Sequence, residues 1–415
     1  MTQDKIGLVL SGGGARGAYE AGVMAGIVEA LALRPRDRAP FQIFAGTSVG
    51  AINTTYLASK ADRGDLGVDE LLRLWTDLRI ERHLRIDLLG VLGIDRSGPL
   101  RRIMGRGEPT RFGHYFLDPR PLERLVADAV PWNRLHHNVS SGTVHALIIA
   151  ALHISSGRTT MFIEKAPEAE FRATRDPRRV ARYERIGADH VLGSAAIPLL
   201  FPARRIGNGY YADGGLRFNT PISPAIRAGS DKLVIVSVMH RPYGIASAVG
   251  ESDAEAQYPH PAFLLGKLMN ALILDPVAYD LYVLERFNKL LEVMEAGLGM
   301  DGQNALATVL EETRGAGYRQ IQALVFNPSQ DIGQLAGQHL IDRKHRFGLD
   351  RLEDWLLGRG AATNGGAWEA DLASYLLFDG SFAQKLIKLG LEDALARKDE
   401  IRAFFGDTRS QVRAA

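Results

Sequence analysis

An α/β fold is predicted by three features of the sequence. Two strand–turn–helix units follow one another at the start of the chain, one passing through Ser11–Gly17 and the other through Gly46–Gly50. Further strand-like apolar runs recur as far as Met239, spaced by helical segments. After about residue 240 the texture becomes mostly helical. Alternation of this kind is how a sheet covered by helices is written. The expectation is one elaborated α/β domain with a helical C-terminal extension.

The first unit is Lys5–Leu10, an apolar strand, then the glycine-rich Ser11-Gly12-Gly13-Gly14-Ala15-Arg16-Gly17, then an apolar-periodic helix from about Ala18 to Leu33. A glycine loop between strand and helix lets backbone N–H groups converge on something anionic with no side chains in the way. The second unit runs Phe41–Ala45 as a strand, Gly46-Thr47-Ser48-Val49-Gly50 as a turn, and a helix to about Ala61. Gly-x-Ser-x-Gly in that setting places a serine hydroxyl on a sharp turn at a helix N-terminus, where the helix dipole favours negative charge.

Val68–Leu78 reads as another helix. Between Arg79 and Arg111 eight arginines (Arg79, Arg82, Arg85, Arg96, Arg101, Arg102, Arg106, Arg111) face four acids around the apolar Leu88–Ile94 run. Two readings stay open: a solvated helical excursion, or a cap whose apolar side meets lipid while its arginines meet anionic headgroups. Asp118-Pro119-Arg120-Pro121 begins the next helix. Thr143–His153 and Arg158–Glu164 form a hairpin about Ser155-Ser156-Gly157, with His145 and His153 as core or face residues of its first strand. Small residues in Gly193–Pro202 close a tightly packed helix. A short strand then ends in Asp213-Gly214-Gly215, and Lys232–Met239 is a further strand. Phe263–Ala296 is helical with a break expected at Pro276, Gly297–Gly317 is a loop, Arg319–Phe326 is a strand, and the chain is helical from about Leu335.

Composition narrows the chemistry. The 415 residues hold 46% hydrophobic and 24% charged side chains, ordinary for a globular protein with a sizeable core. With no cysteine there is no disulfide, thiolate metal site or cysteine nucleophile, which fits a reducing compartment. A net charge of +2 gives no reason to expect nucleic acid. The N-terminal residues do not read as a signal peptide, and no apolar stretch reaches the roughly 18–20 residues of a membrane span. A cytoplasmic protein, peripheral at a membrane if the cap reading holds, is expected. Nothing in the sequence sets an oligomeric state.

A serine hydroxyl needs a group to take its proton. A Ser-His-Asp triad could recruit Asp213 with His240 or His260 on chain order alone. However, an α/β-hydrolase places several strands before its elbow, and here one strand precedes the serine's own. A carboxylate acting directly on Ser48 is simpler and needs an Asp within about 2.6–3.2 Å. The glycine loop also has two readings. Gly12, Gly14 and Gly17 fit a dinucleotide fingerprint, but the acidic residue expected at the end of the second strand is missing, since Asp37 lies in a polar connection. The alternative is an oxyanion hole built from the N–H groups of Gly13 and Gly14.

Taken together, Gly12–Gly17, Gly46–Gly50 and Asp213-Gly214-Gly215, with Ser194-Ala195-Ala196-Ile197-Pro198 to Pro202 between them, resemble in order and spacing the patatin-like phospholipases. Asn327-Pro328-Ser329 and Ser374–Asp379 look like the C-terminal region of longer bacterial members. The resemblance implies a three-layer α/β/α fold around a mostly parallel sheet. It implies a catalytic core over 1–240, with the cap at 79–117, and a helical extension over 241–415 that adds one strand. Ser48 would be the nucleophile and Asp213 the base. Gly12, Gly13, Gly14, Ala15, Arg16 and Gly17 would form the oxyanion loop, with Arg16 shaping it or meeting a phosphate. Gly46, Thr47, Val49 and Gly50 would form the elbow, and Gly214 and Gly215 the turn after the acid. The implied activity is hydrolysis of fatty-acyl esters of lipid or phospholipid, with no metal or cofactor. An acyltransferase on the same residues, a nucleotide-binding protein and a catalytically silent scaffold are the alternatives.

Overall fold

The structure is a computed structural model describing residues 4–78, 120–198, 200–240, 268–271, 275–297, 320–347 and 370–406, with short pieces at 85–86, 117–118 and 308. Most of the arginine-rich stretch from Arg79 to Arg111, the expected cap, His260 and the loop to Gly317 lie outside these residues. Within the stretch, Arg85–Ile86 pairs antiparallel with Leu117–Asp118.

Among the described residues the central layer is a nine-stranded sheet. In chain order its first strands are β1 (Ile6–Leu10), β2 (Ile43–Thr47), β3 (Ala146–His153), β4 (Arg158–Lys165) and β5 (Arg179–Tyr183). Two short strands follow, β6 (Arg204–Ile206) and β7 (Gly209–Asp213), then β8 (Lys232–Val236) and β9 (Gln322–Phe326). The order is β9-β8-β1-β2-β3-β4-β5. The first five strands on this path are mutually parallel, so their C-terminal ends share one edge. β1 and β2 are buried along their whole length, as strands covered on both faces must be.

Strand residues alternate between two separate cores. Leu8, Leu10, Phe44, Leu147, Ile149, Val234 and Phe326 join one cluster. Val9, Ile43, Ala45, Ile148, Leu233 and Ile235 join the other. The first core is closed by α1 (Gly17–Leu31), α2 (Val49–Ser59) and α3 (Val68–Thr76), with α4 (Arg120–Ala129) and α5 (Trp132–Ser140) beside them. On the opposite face lie Ile222 and Ala225 of α7 (Ile222–Arg227) and Leu281 of α8 (Asp275–Gly297). The fold is therefore a mostly parallel sheet between two helical layers. α6 (Ala188–Ser194) precedes β6.

The C-terminal helices α9 (Ile332–Phe347), α10 (Asp371–Leu376), α11 (Gly380–Ala396) and α12 (Lys398–Phe404) bury apolar residues in the first core, among them Ala336, Tyr375, Leu386 and Phe404. α1, apolar nearly all round, lies between the sheet and α11.

Three local details complete the fold. The hairpin's first strand begins at Ala146, so His145 lies just before it, its N–H bonded to the Gln42 carbonyl. Near Pro276, residues 268–271 are helical, 272–274 lie outside the described residues, and α8 begins at Asp275, so Pro276 sits at a helix start. It occupies the first turn of α8, where its missing N–H has no intrahelical partner to lose. β5, whose Arg-Val-Ala-Arg-Tyr sequence lacks a clean apolar alternation, joins the sheet edge next to β4.

Candidate active site

The register of β3 brings the site together. β2 pairs with one edge of β3 from Ala146 to Ala150, ending with Thr47 opposite Ala150. β4 occupies the other edge along the whole strand. β7 takes over the first edge where β2 leaves it and runs antiparallel, with Asp213 opposite Ala151. The ends of β2 and β7 therefore point at each other, and the residue after Thr47 meets the last residue of β7. The Ser48 hydroxyl donates a 2.6 Å hydrogen bond to Asp213 Oδ2.

Ser48 has φ 55° and ψ −127°, a backbone conformation that costs a non-glycine residue about 1–3 kcal/mol. The glycines on either side permit this turn. A Cβ at Gly46 would stand 2.3 Å from the Gly50 carbonyl oxygen, and one at Gly50 would stand 2.4 Å from that of Leu10. Ser194 braces the turn from α6. Its hydroxyl accepts the Ser48 N–H at 2.9 Å and donates to the Ala150 carbonyl at 2.6 Å. α2 starts at Val49, so its N-terminal dipole faces the serine.

Asp213 is 1% exposed and Ser48 4% exposed. Burial pushes the Asp213 carboxyl from 3.8 up to about 7, against the opposing effect of hydrogen bonds from the Ser48 hydroxyl and the Gly215 N–H. The Gly215 bond, 2.7 Å to Oδ1, leaves Oδ2 for the serine. Among the described residues no histidine bonds to either side chain, and His240 Nδ1 lies 2.9 Å from the Pro328 carbonyl oxygen instead.

The glycine loop passes over the same point. Gly12 N–H donates to Asn219 Oδ1 at 2.8 Å, and Asn219 Nδ2 returns a bond to the Gly12 carbonyl. A Cβ at Gly12 would stand 2.9 Å from Ser48 Cβ, which measures how closely the loop approaches the serine. The Gly13 and Gly14 N–H groups have no protein acceptor among the described residues. Arg16 turns inward. Its Nε donates to Ser374 Oγ at 2.8 Å, and its terminal nitrogen pairs with Asp371 Oδ1 at 3.2 Å. Its guanidinium is thus turned toward the C-terminal helix α10 and is 3% exposed.

An apolar cavity of about 60 Å³ lies beside the turn, lined among others by Val49, Ile52, Leu71, Trp75, Val126 and Phe378. Among the described residues no cluster of three or more His, Asp or Glu side chains could hold a metal ion, and no helix is long and apolar enough to cross a membrane.

The sequence reading named the elbow, Asp213 and the glycine loop. It gave Gly193–Pro202 only a packing role and did not single out Asn219. The signals at Ser194 are a hydroxyl in an otherwise apolar, small-residue helix end and its place at the head of the Ser194–Pro202 segment.

Fold and site define a three-layer α/β/α protein with a serine on a strained strand–helix turn facing a buried carboxylate. The family model described as patatin-like phospholipase matches residues 8–226, more than half of the chain. The chain belongs to the patatin-like phospholipase family, a family of lipid acyl hydrolases. Among solved structures it is similar to VipD from Legionella pneumophila, at 13% identity and a TM-score of 0.34, over 93% of this chain and 67% of that one. No curated protein matches the chain.

Proposed function

We propose that the chain is a serine lipid acyl hydrolase of the phospholipase A, lysophospholipase or esterase type. The observation that carries this reading is the 2.6 Å bond from the hydroxyl of Ser48, on its strained turn, to a buried carboxylate. Ionised Asp213 takes the Ser48 proton as Oγ attacks the fatty-acyl carbonyl. The resulting oxyanion accepts hydrogen bonds from the Gly13 and Gly14 N–H groups. As the tetrahedral intermediate collapses, Asp213 returns the proton to the departing alcohol or lysophospholipid, leaving an acyl-Ser48 ester. A water then attacks the acyl carbon, giving its proton to Asp213. Collapse of the second intermediate breaks the ester to Ser48 Oγ, which takes the proton back and releases the fatty acid.

A carboxyl with a pKa of about 7 suits this work, because a base is most effective when its pKa lies near the working pH. The apolar cavity next to Val49 supplies a surface on which the acyl chain would rest. The arginine-rich stretch from Arg79 to Arg111 would form the cap and bring the protein to an anionic lipid surface.

A fluorophosphonate probe tests the proposal. The wild-type chain should be labelled, Ser48→Ala should not, and both should remain folded. An unlabelled wild-type chain that also releases no fatty acid from a panel of phospholipid, lysophospholipid and short-chain esters would contradict it.

A further inference from the structure

Arg16 does no chemistry in the proposed mechanism, yet it is among the most constrained residues near the site. It ends the 3₁₀ turn Gly14–Arg16 within the glycine loop, just before α1, and it is 3% exposed. A guanidinium buried to that degree requires partners for its charge and its five N–H groups. Among the described residues, the side chains that bond to or stack on its guanidinium all come from outside the segment 8–226 that matches the family. Asp371 carries the ion pair, Ser374 accepts from Nε, Asn270 Oδ1 lies 3.4 Å away, and the Tyr375 ring lies under the guanidinium at 4.3 Å. Those partners are themselves interlocked, since the Ser374 hydroxyl donates to the Asp371 carbonyl and the Tyr375 hydroxyl to Asn270 Oδ1.

A second contact works through the backbone. Gly14 has φ +58°, and a Cβ there would stand 2.3 Å from the Tyr375 carbonyl oxygen. The loop backbone thus rests directly on α10. The same segment continues to Phe378, which stacks on Trp75 at 6.3 Å and lines the apolar cavity, and the following Gly380 N–H donates to the Leu78 carbonyl. One short stretch of the C-terminal extension therefore touches both the loop before the serine and the cavity beside it.

We propose that Asp371–Tyr375 is a positioning element for the site, holding the Gly13 and Gly14 N–H groups toward Ser48 through Arg16. This inference rests on the hydrolase reading for its catalytic consequence. Oxyanion donors work only when held to a fraction of an ångström, and a displacement of about 1 Å can cost on the order of 10²-fold in rate. On one side the loop is tied to Asn219 at Gly12; on the other its tie is the Arg16 network. The core matched by the family model is then not sufficient for full activity, because residues of the extension set the geometry of its loop.

The test uses the full chain carrying Asp371→Asn or Ser374→Ala, assayed on a p-nitrophenyl fatty-acyl ester with the active sites titrated by a fluorophosphonate. The expected result is a kcat per titrated site lower by on the order of 10–100-fold, with KM changed by less than about threefold. The Ki of a trifluoromethyl ketone, whose adduct with Ser48 carries an oxyanion, should rise in parallel, and Asp371→Glu should recover part of the loss. Fewer titratable sites with an unchanged kcat per site would reduce the segment to a packing role and overturn the proposal. If Asp371→Asn does not fold, Ser374→Ala, which removes one hydroxyl, decides by the same readout. If the wild-type chain hydrolyses no ester, the hydrolase reading fails separately, and hydrogen exchange at the Gly13–Arg16 amides still decides whether the segment holds the loop. Faster exchange in either variant supports that, and unchanged exchange overturns it.

Discussion

Replacing Asp213 by Asn should make the protein more stable in neutral and alkaline solution, and by an amount that depends on pH. Burial holds the native carboxyl at about 7, whereas the unfolded chain titrates it near 3.8. Between those values the native state binds the proton that the unfolded state has released, so stability falls as pH rises. The favourable contribution is complete below the unfolded pKa and is lost as pH rises through the native one. A shift of roughly three units corresponds to a limit of about 4 kcal/mol. Between pH 5 and pH 8 the wild-type chain should therefore lose about 2–3 kcal/mol that Asp213→Asn retains, on the order of a 10²-fold difference in the unfolding equilibrium. Urea unfolding of both proteins at pH 5, 6.5 and 8 measures this directly. A stability difference that stays constant across that range would refute the claim that burial holds Asp213 protonated.

Four further outcomes follow from the same geometry. Because Asp213 must be ionised to act, kcat/KM should rise with pH as a single ionisation centred near 7 and then level off; a profile flat from pH 5 to 9 would exclude it as the base. Ser194→Ala strips partners from the buried Ser48 N–H and Ala150 carbonyl and should cost about 2–4 kcal/mol in denaturant unfolding, with a lower kcat as the turn relaxes. Gly12→Ala puts a methyl group 2.3 Å from Asn219 Oδ1 and 2.9 Å from Ser48 Cβ, so turnover should drop by on the order of 10²–10³, the scale of one lost oxyanion donor. Asn219→Leu removes both side-chain bonds to Gly12 and should lower kcat, while His240→Ala, whose ring bonds the Pro328 carbonyl and not Ser48, leaves it near normal.

What the sequence reveals and what it hides divide along physical lines. Strands β1, β2 and β8 are short apolar runs buried on both faces, and Gly-x-Ser-x-Gly encodes a backbone conformation locally, so both can be read from neighbouring residues. Asp213 is legible because it ends a strand and is followed by two glycines. Ser194, Asn219 and the partners of Arg16 are different. Their roles depend on contacts across 146, 207 and 358 residues of chain, set by the register of β3 and the return of the C-terminal helices. The Ser194–Pro202 and Ser374–Asp379 segments carry a family resemblance, but no local pattern shows what these residues bond to. β5 escapes for the opposite reason, since a half-exposed edge strand needs no apolar alternation.

The central claim is that Ser48 and Asp213 act as a pair with no third residue between them. Turnover by Asp213→Asn at pH 8, with the fatty acid released per enzyme counted against wild type and Ser48→Ala, tests it most directly. The account predicts that Asp213→Asn falls by on the order of 10³-fold or more, close to the Ser48→Ala background, while remaining at least as stable as wild type. Near-normal fatty-acid release by Asp213→Asn would contradict it, even if Ser48→Ala were inactive.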